Sequence, residues 1–338
     1  MTDRIIKWDK GEAEIQLLGG MLAPVRFILE DRRIVQPFAV APWADDSSPR
    51  HAELPGLMKR LRGEWPCVPF GAPNTPEGIP EGWRPDEANP VDSEYHGYCS
   101  NYEWRVEDEC EGAIAISISY PQDHPVRRLA RRIEGLPGEA TIKISLTIEA
   151  RRAVALPIAL HPVFRLPENP ERARLDLGKY DVGRVFPLPV EPGKSRLVPD
   201  AEFETIRQVP ARDGFARLDR FPLGFDTEEI VQVCGVSGHA TLTNEDEDYR
   251  AHLRFCPKFF PSVLLWISNR GRAFYPWNGR FVALGIEPVR AAFDLGPAVG
   301  SYAGNPIAKS GYPTALTLLP GEPVTTSYEI GVESTAVG

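Results

Sequence analysis

The stretch ATIKISLTIEA (residues 140–150) decides the fold class. In it, Ile142, Ile144, Leu146 and Ile148 alternate with polar side chains. Because successive side chains of a strand point to opposite faces of its sheet, this period of two predicts a β-strand with one buried and one wet face. An amphipathic helix would instead repeat its apolar residues every three or four positions.

Strand patterns recur along the chain. Residues 113–120 (AIAISISY) and 249–255 (YRAHLRF) also alternate, whereas residues 262–268 (SVLLWIS) and 281–287 (FVALGIE) are continuously apolar, as in strands buried on both faces. The 34 prolines among 338 residues leave few windows with room for an ordinary helix. We therefore predict an all-β chain that forms a large antiparallel β-sandwich, with residues 1–338 in a single domain.

Composition and charge exclude several classes of protein. Hydrophobic residues make up 42% of the chain, which is enough for a large buried core and excludes a disordered protein. The net charge of −9 argues against nucleic acid or an anionic membrane as the partner, since phosphate groups bind cationic surfaces. No apolar run approaches the roughly 20 residues that span a bilayer, and the first residues lack a signal-peptide core. We expect a cytoplasmic monomer or homodimer.

The cysteines give a further expectation. The chain has five, an odd number, and no CxxC pair occurs among them. This pattern predicts neither a disulfide framework nor a zinc site. We therefore expect buried thiols and no bound metal.

Two segments that combine polar and aromatic side chains flank a long irregular stretch, residues 69–90. We interpret this stretch as an ordered, functional loop. Residues 60–71 (RLRGEWPCVPFG) contain Arg62, whose donor fork suits sugar hydroxyls or an anion but which is equally consistent with a surface charge. Residues 94–104 (EYHGYCSNYEW) contain His96. A lone histidine of this kind is more often a hydrogen-bonded structural residue than a catalytic one.

Two other segments place an ionisable group within an apolar run. His161 interrupts LPIALHPVF, and Glu287 follows VALGI. Burial disfavours the charged form of both groups, so each position demands a partner. The structural alternatives are a core histidine bonded to the backbone and a carboxylate paired with an arginine.

In chain order, these segments resemble the galactose mutarotase-like superfamily, the aldose 1-epimerases, and particularly the branch that includes hexose-6-phosphate mutarotases. The opening Arg-Gly-Gly-x-Pro pattern is similar to RGEWP from Arg62, and the His-Gly-(Phe/Tyr) and Trp pattern is similar to His96 and Trp104. A strand ending in His-Pro-x-Phe is matched at His161, and a glutamate on a late strand is matched by Glu287. The resemblance extends over residues 60–331.

This resemblance implies an isomerase that interconverts the α and β anomers of an aldose or a sugar phosphate, without a cofactor or metal. Glu287 would be the base that removes the anomeric O–H proton. His161, kept protonated by nearby carboxylates, would be the acid that protonates the ring oxygen. The expected substrate-binding residues are Arg62, His96, Trp104, Asp226, Trp266, Arg270 and Trp277.

The chain departs from the family pattern in ways that affect the expected substrate more than the fold. Glu64 replaces the second glycine of the opening pattern, and Pro288 follows the late glutamate. WISNRGRAFYPWNGR (residues 266–280) replaces a Trp-Asn-Pro segment. Its Arg270, Arg272 and Arg280 form either a solvated loop or a cationic wall for a phosphate or carboxylate.

Two other classes of function remain open on the same scaffold, because a fold does not determine an activity. One is a non-catalytic carbohydrate-binding protein, and the other is a carbohydrate lyase or hydrolase. A hydrolase ordinarily uses two carboxylates, whereas the sequence predicts one glutamate and two histidines. Separation of His161 and Glu287 by more than ~10 Å would exclude direct acid–base catalysis on one ring.

Overall fold

Strands dominate the computed structural model, which describes residues 3–85 and 91–336. The first nine strands are β1 (Arg4–Trp8), β2 (Gly11–Gln16), β3 (Met21–Ile28), β4 (Ile34–Val35), β5 (Pro66–Cys67), β6 (Arg105–Cys110), β7 (Ala113–Ser119), β8 (Val126–Gly135) and β9 (Thr141–Ala150). The next nine are β10 (Val154–Leu156), β11 (Ile158–Leu160), β12 (Val163–Arg165), β13 (Ala173–Asp176), β14 (Val182–Val185), β15 (Glu202–Phe203), β16 (Val209–Ala211), β17 (Gly214–Ala216) and β18 (Arg220–Phe221). The last seven are β19 (Thr227–Cys234), β20 (His239–Asn244), β21 (Tyr249–Phe255), β22 (Ser262–Asn269), β23 (Val282–Arg290), β24 (Leu316–Leu318) and β25 (Val324–Ser334).

The helices are short and lie in the connections between strands. None of those found in the described residues is long and apolar enough to cross a membrane. They are α1 (Pro49–Ala52), α2 (Gly56–Lys59), α3 (Tyr98–Asn101), α4 (Gly296–Ser301), α5 (Pro306–Lys309) and a single 3-10 turn at Glu81–Trp83.

Two large antiparallel sheets carry most of the strands. The nine-stranded sheet has the order β18-β13-β20-β21-β25-β9-β8-β7-β6. The eight-stranded sheet has the order β15-β14-β19-β22-β23-β11-β5, and β12 also pairs with β23. A four-stranded sheet, β1-β2-β3-β4, and the pairs β10-β24 and β16-β17 account for the other described strands. The predicted all-β antiparallel sandwich is confirmed.

The predicted strands are confirmed one by one. The alternating stretches form β7, β9 and β21, and the continuously apolar runs form β22 and β23. In β9 the residues from Ile142 to Ile148 alternate between buried and half-buried positions. The period of two therefore predicted correctly which face of β9 is buried.

The main core lies between the two large sheets. Ile144 of β9 and Leu265 of β22 belong to the same buried cluster. The eight-stranded sheet also buries its opposite face, where Leu264 and Trp266 join a second cluster formed with the loops. Because both faces are covered, the sequences of β22 and β23 are apolar without alternation.

Part of the irregular segment packs on this second cluster. Trp83 is buried against Phe293, and its indole Nε1 donates a hydrogen bond to Asp200 Oδ1 at 3.0 Å. Residues 69–85 of the segment are described, and residues 86–90 lie outside the described residues.

All five cysteines are free, and the expectation of buried thiols is correct for three of them. Cys67, Cys99 and Cys234 are buried. The expectation is wrong for Cys110 and Cys256, which are exposed. Cys110 ends β6, at the edge of the nine-stranded sheet, and Cys256 lies just beyond β21, so neither position is covered by a neighbouring strand.

Glu64, where the chain departs from the glycine of the family pattern, forms a buried ion pair with Arg131 of β8. Both side chains are withdrawn from solvent. The hydroxyl of Tyr328 of β25 donates to Glu64 and accepts a hydrogen bond of 2.9 Å from Arg131 Nη2. These contacts attach the segment around Glu64 to the nine-stranded sheet.

We expect Glu64→Gln to lower the free energy of unfolding by about 3–5 kcal/mol, because the Arg131 charge would remain buried without its counter-charge. The double variant Glu64→Gln/Arg131→Leu should lose less than the sum of the single variants, since it removes both charges. Urea unfolding followed by tryptophan fluorescence measures both effects.

The matched control is the exposed ion pair between Arg250 and Glu333, whose nitrogen and oxygen lie 2.9 Å apart. Glu333→Gln should cost less than about 1 kcal/mol. A Glu64→Gln variant no less stable than this control would show that the buried pair does not stabilise the fold.

Candidate active site

The candidate site lies on the face of the eight-stranded sheet that is turned away from the main core, called the site face below. Glu228 and Ile230 of β19, Trp266 of β22 and Glu287 of β23 share it, because strand side chains alternate between faces. The strand register places Ile230 beside Trp266, and Leu264 beside Glu287. Three neighbouring strands therefore direct these side chains to one place.

Gly285 makes room for the Glu287 carboxylate on the site face. A Cβ atom at Gly285 would lie 2.4 Å from Glu287 Oε1 and 3.1 Å from the Cβ of Trp266. A larger residue at this position would therefore displace the carboxylate from where it lies.

His161 reaches Glu287 from the neighbouring edge of the sheet. It follows β11, and its backbone N–H donates a 2.8 Å hydrogen bond to the carbonyl of Trp65. Ala159 lies opposite Val289, so the same register brings His161 level with Glu287. The imidazole Nε2 is 3.4 Å from Glu287 Oε1, and the Trp65 ring stacks on the imidazole with 4.1 Å between ring centroids.

Burial acts on both members of this pair. His161 is 5% exposed and Glu287 is 1% exposed. Removal from water lowers the pKa of the His161 imidazole to about 3 and raises the pKa of the Glu287 carboxyl well above its ordinary value. The nearby Asp294 charge raises the pKa of Glu287 further. The expectation that His161 is held protonated is therefore wrong, because desolvation has the largest effect on its pKa.

His96 lies in the turn before α3 and faces His161, with 5.0 Å between the two ring centroids. The N–H of Gly71 donates to His96 Nδ1 at 3.2 Å, and the N–H of His96 donates to the Gly71 carbonyl at 2.9 Å. Burial lowers the pKa of His96 well below its usual value. Because Nδ1 accepts a hydrogen bond, the neutral imidazole carries its hydrogen on Nε2.

These side chains line a small, partly open cavity. Small-molecule sites of this kind are mostly apolar and aromatic, with a few convergent polar groups. No group of three or more His, Cys, Asp or Glu side chains is placed to hold a metal ion within residues 3–85 and 91–336. The predicted site residues that the cavity brings together are His96, His161, Trp266, Trp277 and Glu287.

Two predicted binding residues are buried elsewhere and do not line this cavity. Arg62 is 5% exposed, and its guanidinium nitrogens lie 3.6 Å from Glu14 and 3.7 Å from Asp45. Trp104 is part of the main core, where its Nε1 donates a 2.8 Å hydrogen bond to the Cys99 carbonyl. Both side chains therefore make structural contacts away from the cavity.

The predicted arginine cluster does not form a wall of the cavity. Arg270 and Asp226, two predicted binding residues, pair with each other at 2.8 Å on the surface, outside the cavity. Arg280 is exposed. Arg272 does line the cavity, and its Nη1 lies 3.5 Å from Oε1 of the buried Glu228.

Two carboxyl groups at or near the cavity, those of Asp294 and Glu228, were not among the predicted site residues. Asp294 lines the cavity seven residues after Glu287, and its carboxylate accepts a hydrogen bond from the hydroxyl of Tyr95. Glu228 accepts a 2.8 Å hydrogen bond from Trp266 Nε1. The predicted set of one glutamate and two histidines, with Asp226 as a binding residue, therefore left out Asp294. The signal for Glu228 was its place at the start of a strand, TEEIVQVC, whose later residues are apolar except for Gln232.

The buried neutral state of His161 predicts an acid-dependent loss of stability. Below a pH of about 6.5 the unfolded chain protonates this histidine, whereas the folded chain does so only near pH 3. At His161 the unfolded state then binds more protons, so this residue makes the free energy of unfolding decrease as the pH decreases, by up to about 1.4 kcal/mol per pH unit, while the raised pKa of Glu287 acts in the opposite direction. Urea unfolding between pH 4 and 7 measures this slope.

In the same series, His161→Asn should show a shallower slope than the wild type. His239→Asn, at an exposed position beside Ser237, is the matched control and should keep the wild-type slope. Equal slopes for wild type and His161→Asn would mean that His161 is not held neutral by burial.

Known proteins resemble this chain in structure. No model of a known protein family matches it, and neither does any curated protein. A candidate aldose 1-epimerase from Escherichia coli K12 matches with a TM-score of 0.64 and 16% identity, over 98% of this chain and 99% of that one. A galactose mutarotase-like protein from Lactobacillus casei matches with a TM-score of 0.61 and 15% identity, over 98% and 100%.

A third match widens the range of organisms. The GalM/aldose epimerase homologue from Caenorhabditis elegans has a TM-score of 0.61 and 13% identity, with 99% of this chain and 100% of that chain covered. All three matches extend over essentially complete chains, so they concern the whole arrangement of sheets. Likeness at such identities establishes the fold, and the chain accordingly has the galactose mutarotase-like fold.

Proposed function

We propose that the chain is an aldose 1-epimerase-like isomerase, a mutarotase, that interconverts the anomers of an uncharged aldose by acid–base ring opening. The observation that carries this proposal is the 3.4 Å contact between His161 and Glu287 on the wall of one cavity. The fold by itself would not suffice, because one fold supports many activities.

Mutarotation needs a base at the anomeric hydroxyl oxygen O1 and an acid at the ring oxygen O5. The base takes the O1 proton, the C1–O5 bond breaks as the C1 carbonyl forms, and O5 takes a proton from the acid. Rotation about C1–C2 then presents the other face of the carbonyl, and the reverse steps close the ring. Since O1 and O5 are both bonded to C1, acid and base must lie side by side, as His161 and Glu287 do.

The pair shares one mobile proton. In the neutral form that burial favours, this proton resides on the Glu287 carboxyl, and its transfer to His161 Nε2 produces the carboxylate base and the imidazolium acid. Hydroxyl groups of a bound sugar would donate to the carboxylate and stabilise its charge. Ring opening returns the pair to its neutral form, so the open-chain intermediate coincides with the protonation state that the buried site prefers.

The remaining lining residues have roles in binding. His96 would donate its Nε2–H to a sugar oxygen, since Gly71 occupies its Nδ1. Trp266 and Trp277, whose ring centroids are 5.8 Å apart, offer aromatic surface to the C–H groups of a sugar ring.

An uncharged substrate fits the charges of the lining best. Arg272 is the only arginine or lysine among the described lining residues, and it already contacts Glu228 at 3.5 Å. Glu287 and Asp294 bring two more carboxyl groups to the same cavity. A phosphate dianion would therefore lose its hydration without a free cation to compensate, which is costly in a buried site.

Anomer exchange measured by NMR tests the proposal on a panel of neutral aldoses. The wild type should accelerate exchange of at least one of them, and Glu287→Gln and His161→Asn should each reduce the rate by about 100-fold or more. Glu111→Gln, at an exposed turn, is the control and should keep the full rate. Exchange at the uncatalysed rate with every sugar would refute the proposal.

The same samples separate the alternative functions. Saturable sugar binding without exchange would indicate a carbohydrate-binding protein. Hydrolysis is tested separately, because Asp294 adds a second carboxyl group to the cavity that contains Glu287. Paired carboxyl groups are the usual catalytic groups of glycosidases. Release of the alcohol from aryl glycosides would favour a hydrolase over the isomerase.

Matched pairs of a sugar and its 6-phosphate test the charge argument. We expect kcat/KM for exchange to be at least about tenfold lower for glucose, galactose or mannose 6-phosphate than for the parent sugar, a difference of about 1.4 kcal/mol. Glu228→Gln should reduce the difference in kcat/KM between a sugar and its 6-phosphate, because it leaves the Arg272 charge free. Glu111→Gln should leave that difference unchanged. Equal or faster exchange of the phosphates by the wild type would contradict an uncharged substrate.

A further inference from the structure

Asp294 lies in the cavity wall and takes no part in the proposed acid–base step. The hydroxyl of Tyr95 donates a hydrogen bond to Asp294 Oδ2. Asp294 Oδ1 is buried and has no hydrogen-bond partner among the described residues. A buried acceptor without a donor is unfavourable, so this atom is available to a hydrogen-bond donor that enters the cavity.

The backbone around Asp294 is fixed to the segment that also holds His96. The N–H of Ala72 donates a 2.8 Å hydrogen bond to the Asp294 carbonyl. A Cβ at Gly71, whose φ is +99°, would lie 2.4 Å from that carbonyl oxygen. Gly71 in turn exchanges hydrogen bonds with His96. One close backbone junction therefore sets the positions of Asp294 and His96, and such preorganisation is typical of ligand-binding groups.

Asp294 and Glu287 line one cavity without a hydrogen bond to each other. They are close enough for the Asp294 charge to raise the pKa of Glu287. A sugar whose C1 oxygens contact His161 and Glu287 would therefore present another part of its ring to Asp294. Hydroxyl groups are the donors that an aldose carries on most of its carbon atoms.

We propose that Asp294 is a specificity-determining residue, whose free carboxylate oxygen accepts a hydrogen bond from one sugar hydroxyl other than the anomeric one. Tyr95 is then a positioning residue that orients the carboxylate. This inference rests on the proposed function, and it names the part of the same site that recognises the substrate.

A thermodynamic cycle between one residue and one hydroxyl tests the inference. The substrates are the neutral aldose that the wild type exchanges fastest and its 2-, 3-, 4- and 6-deoxy analogues, and the variant is Asp294→Asn. We expect Asp294→Asn to lower kcat/KM for the parent sugar by about tenfold or more, mainly through a higher KM. For one deoxy analogue the wild type should already be impaired, and the substitution should change its rate by less than about twofold.

Two further variants complete the experiment. Asp46→Asn is the matched control, because Asp46 also accepts a tyrosine hydroxyl, that of Tyr275 at 3.2 Å, but outside this cavity. It should leave every rate unchanged. Tyr95→Phe should reproduce the pattern of Asp294→Asn more weakly, and it carries the test if Asp294→Asn fails to fold.

The possible results separate the inference from the proposed function. An equal loss with the parent and all deoxy analogues, or no loss with any of them, would make Asp294 a structural residue and overturn the inference while mutarotation stands. A wild type that exchanges no sugar would refute the proposed function, and the inference would fall with it.

Discussion

The site depends on the burial of a carboxyl group directly beside an imidazole. In water Glu287 would be ionised and His161 largely neutral, whereas burial raises the pKa of the Glu287 carboxyl and lowers that of the His161 imidazole, which leaves both groups uncharged. Under the proposed function, transfer of one proton over the 3.4 Å between the two groups converts this neutral pair into an acid and a base. The low polarity of the wall is thus a chemical requirement as well as a result of packing.

That wall is maintained by the main core on the other side of the same sheet. The eight-stranded sheet has its inner face in the main core, and its strand parity then directs Glu228, Trp266 and Glu287 outward as a set. A shift of one residue in the register of β22 or β23 would exchange the two faces and eliminate the site. The apolar packing between the two large sheets therefore fixes the positions of the side chains on the site face.

The sequence predicted those parts of the molecule that depend on local pattern. The strand β9 followed from apolar alternation, β22 and β23 followed from continuously apolar runs, and His161 and Glu287 stood out as ionisable groups at such runs. Arg62 and Asp226 are different, because the direction of a side chain in a connection is decided by partners distant in sequence, here Glu14 for Arg62 and Arg270 for Asp226. Asp294 was missed for the same reason, as its role follows from contacts with residues 71–72 and 95.

Contacts around Glu64, which stands where the related pattern has a glycine, connect the nine-stranded sheet to the pair formed by His161 and Glu287. Glu64 is held by Arg131 and Tyr328 of the nine-stranded sheet, and the next residue, Trp65, stacks on His161 and accepts its backbone N–H. An unbroken series of contacts therefore runs from one large sheet to the imidazole. The buried ion pair of Glu64 with Arg131 therefore lies one residue away from the indole that stacks on His161, and a loss of either charge would act close to the site.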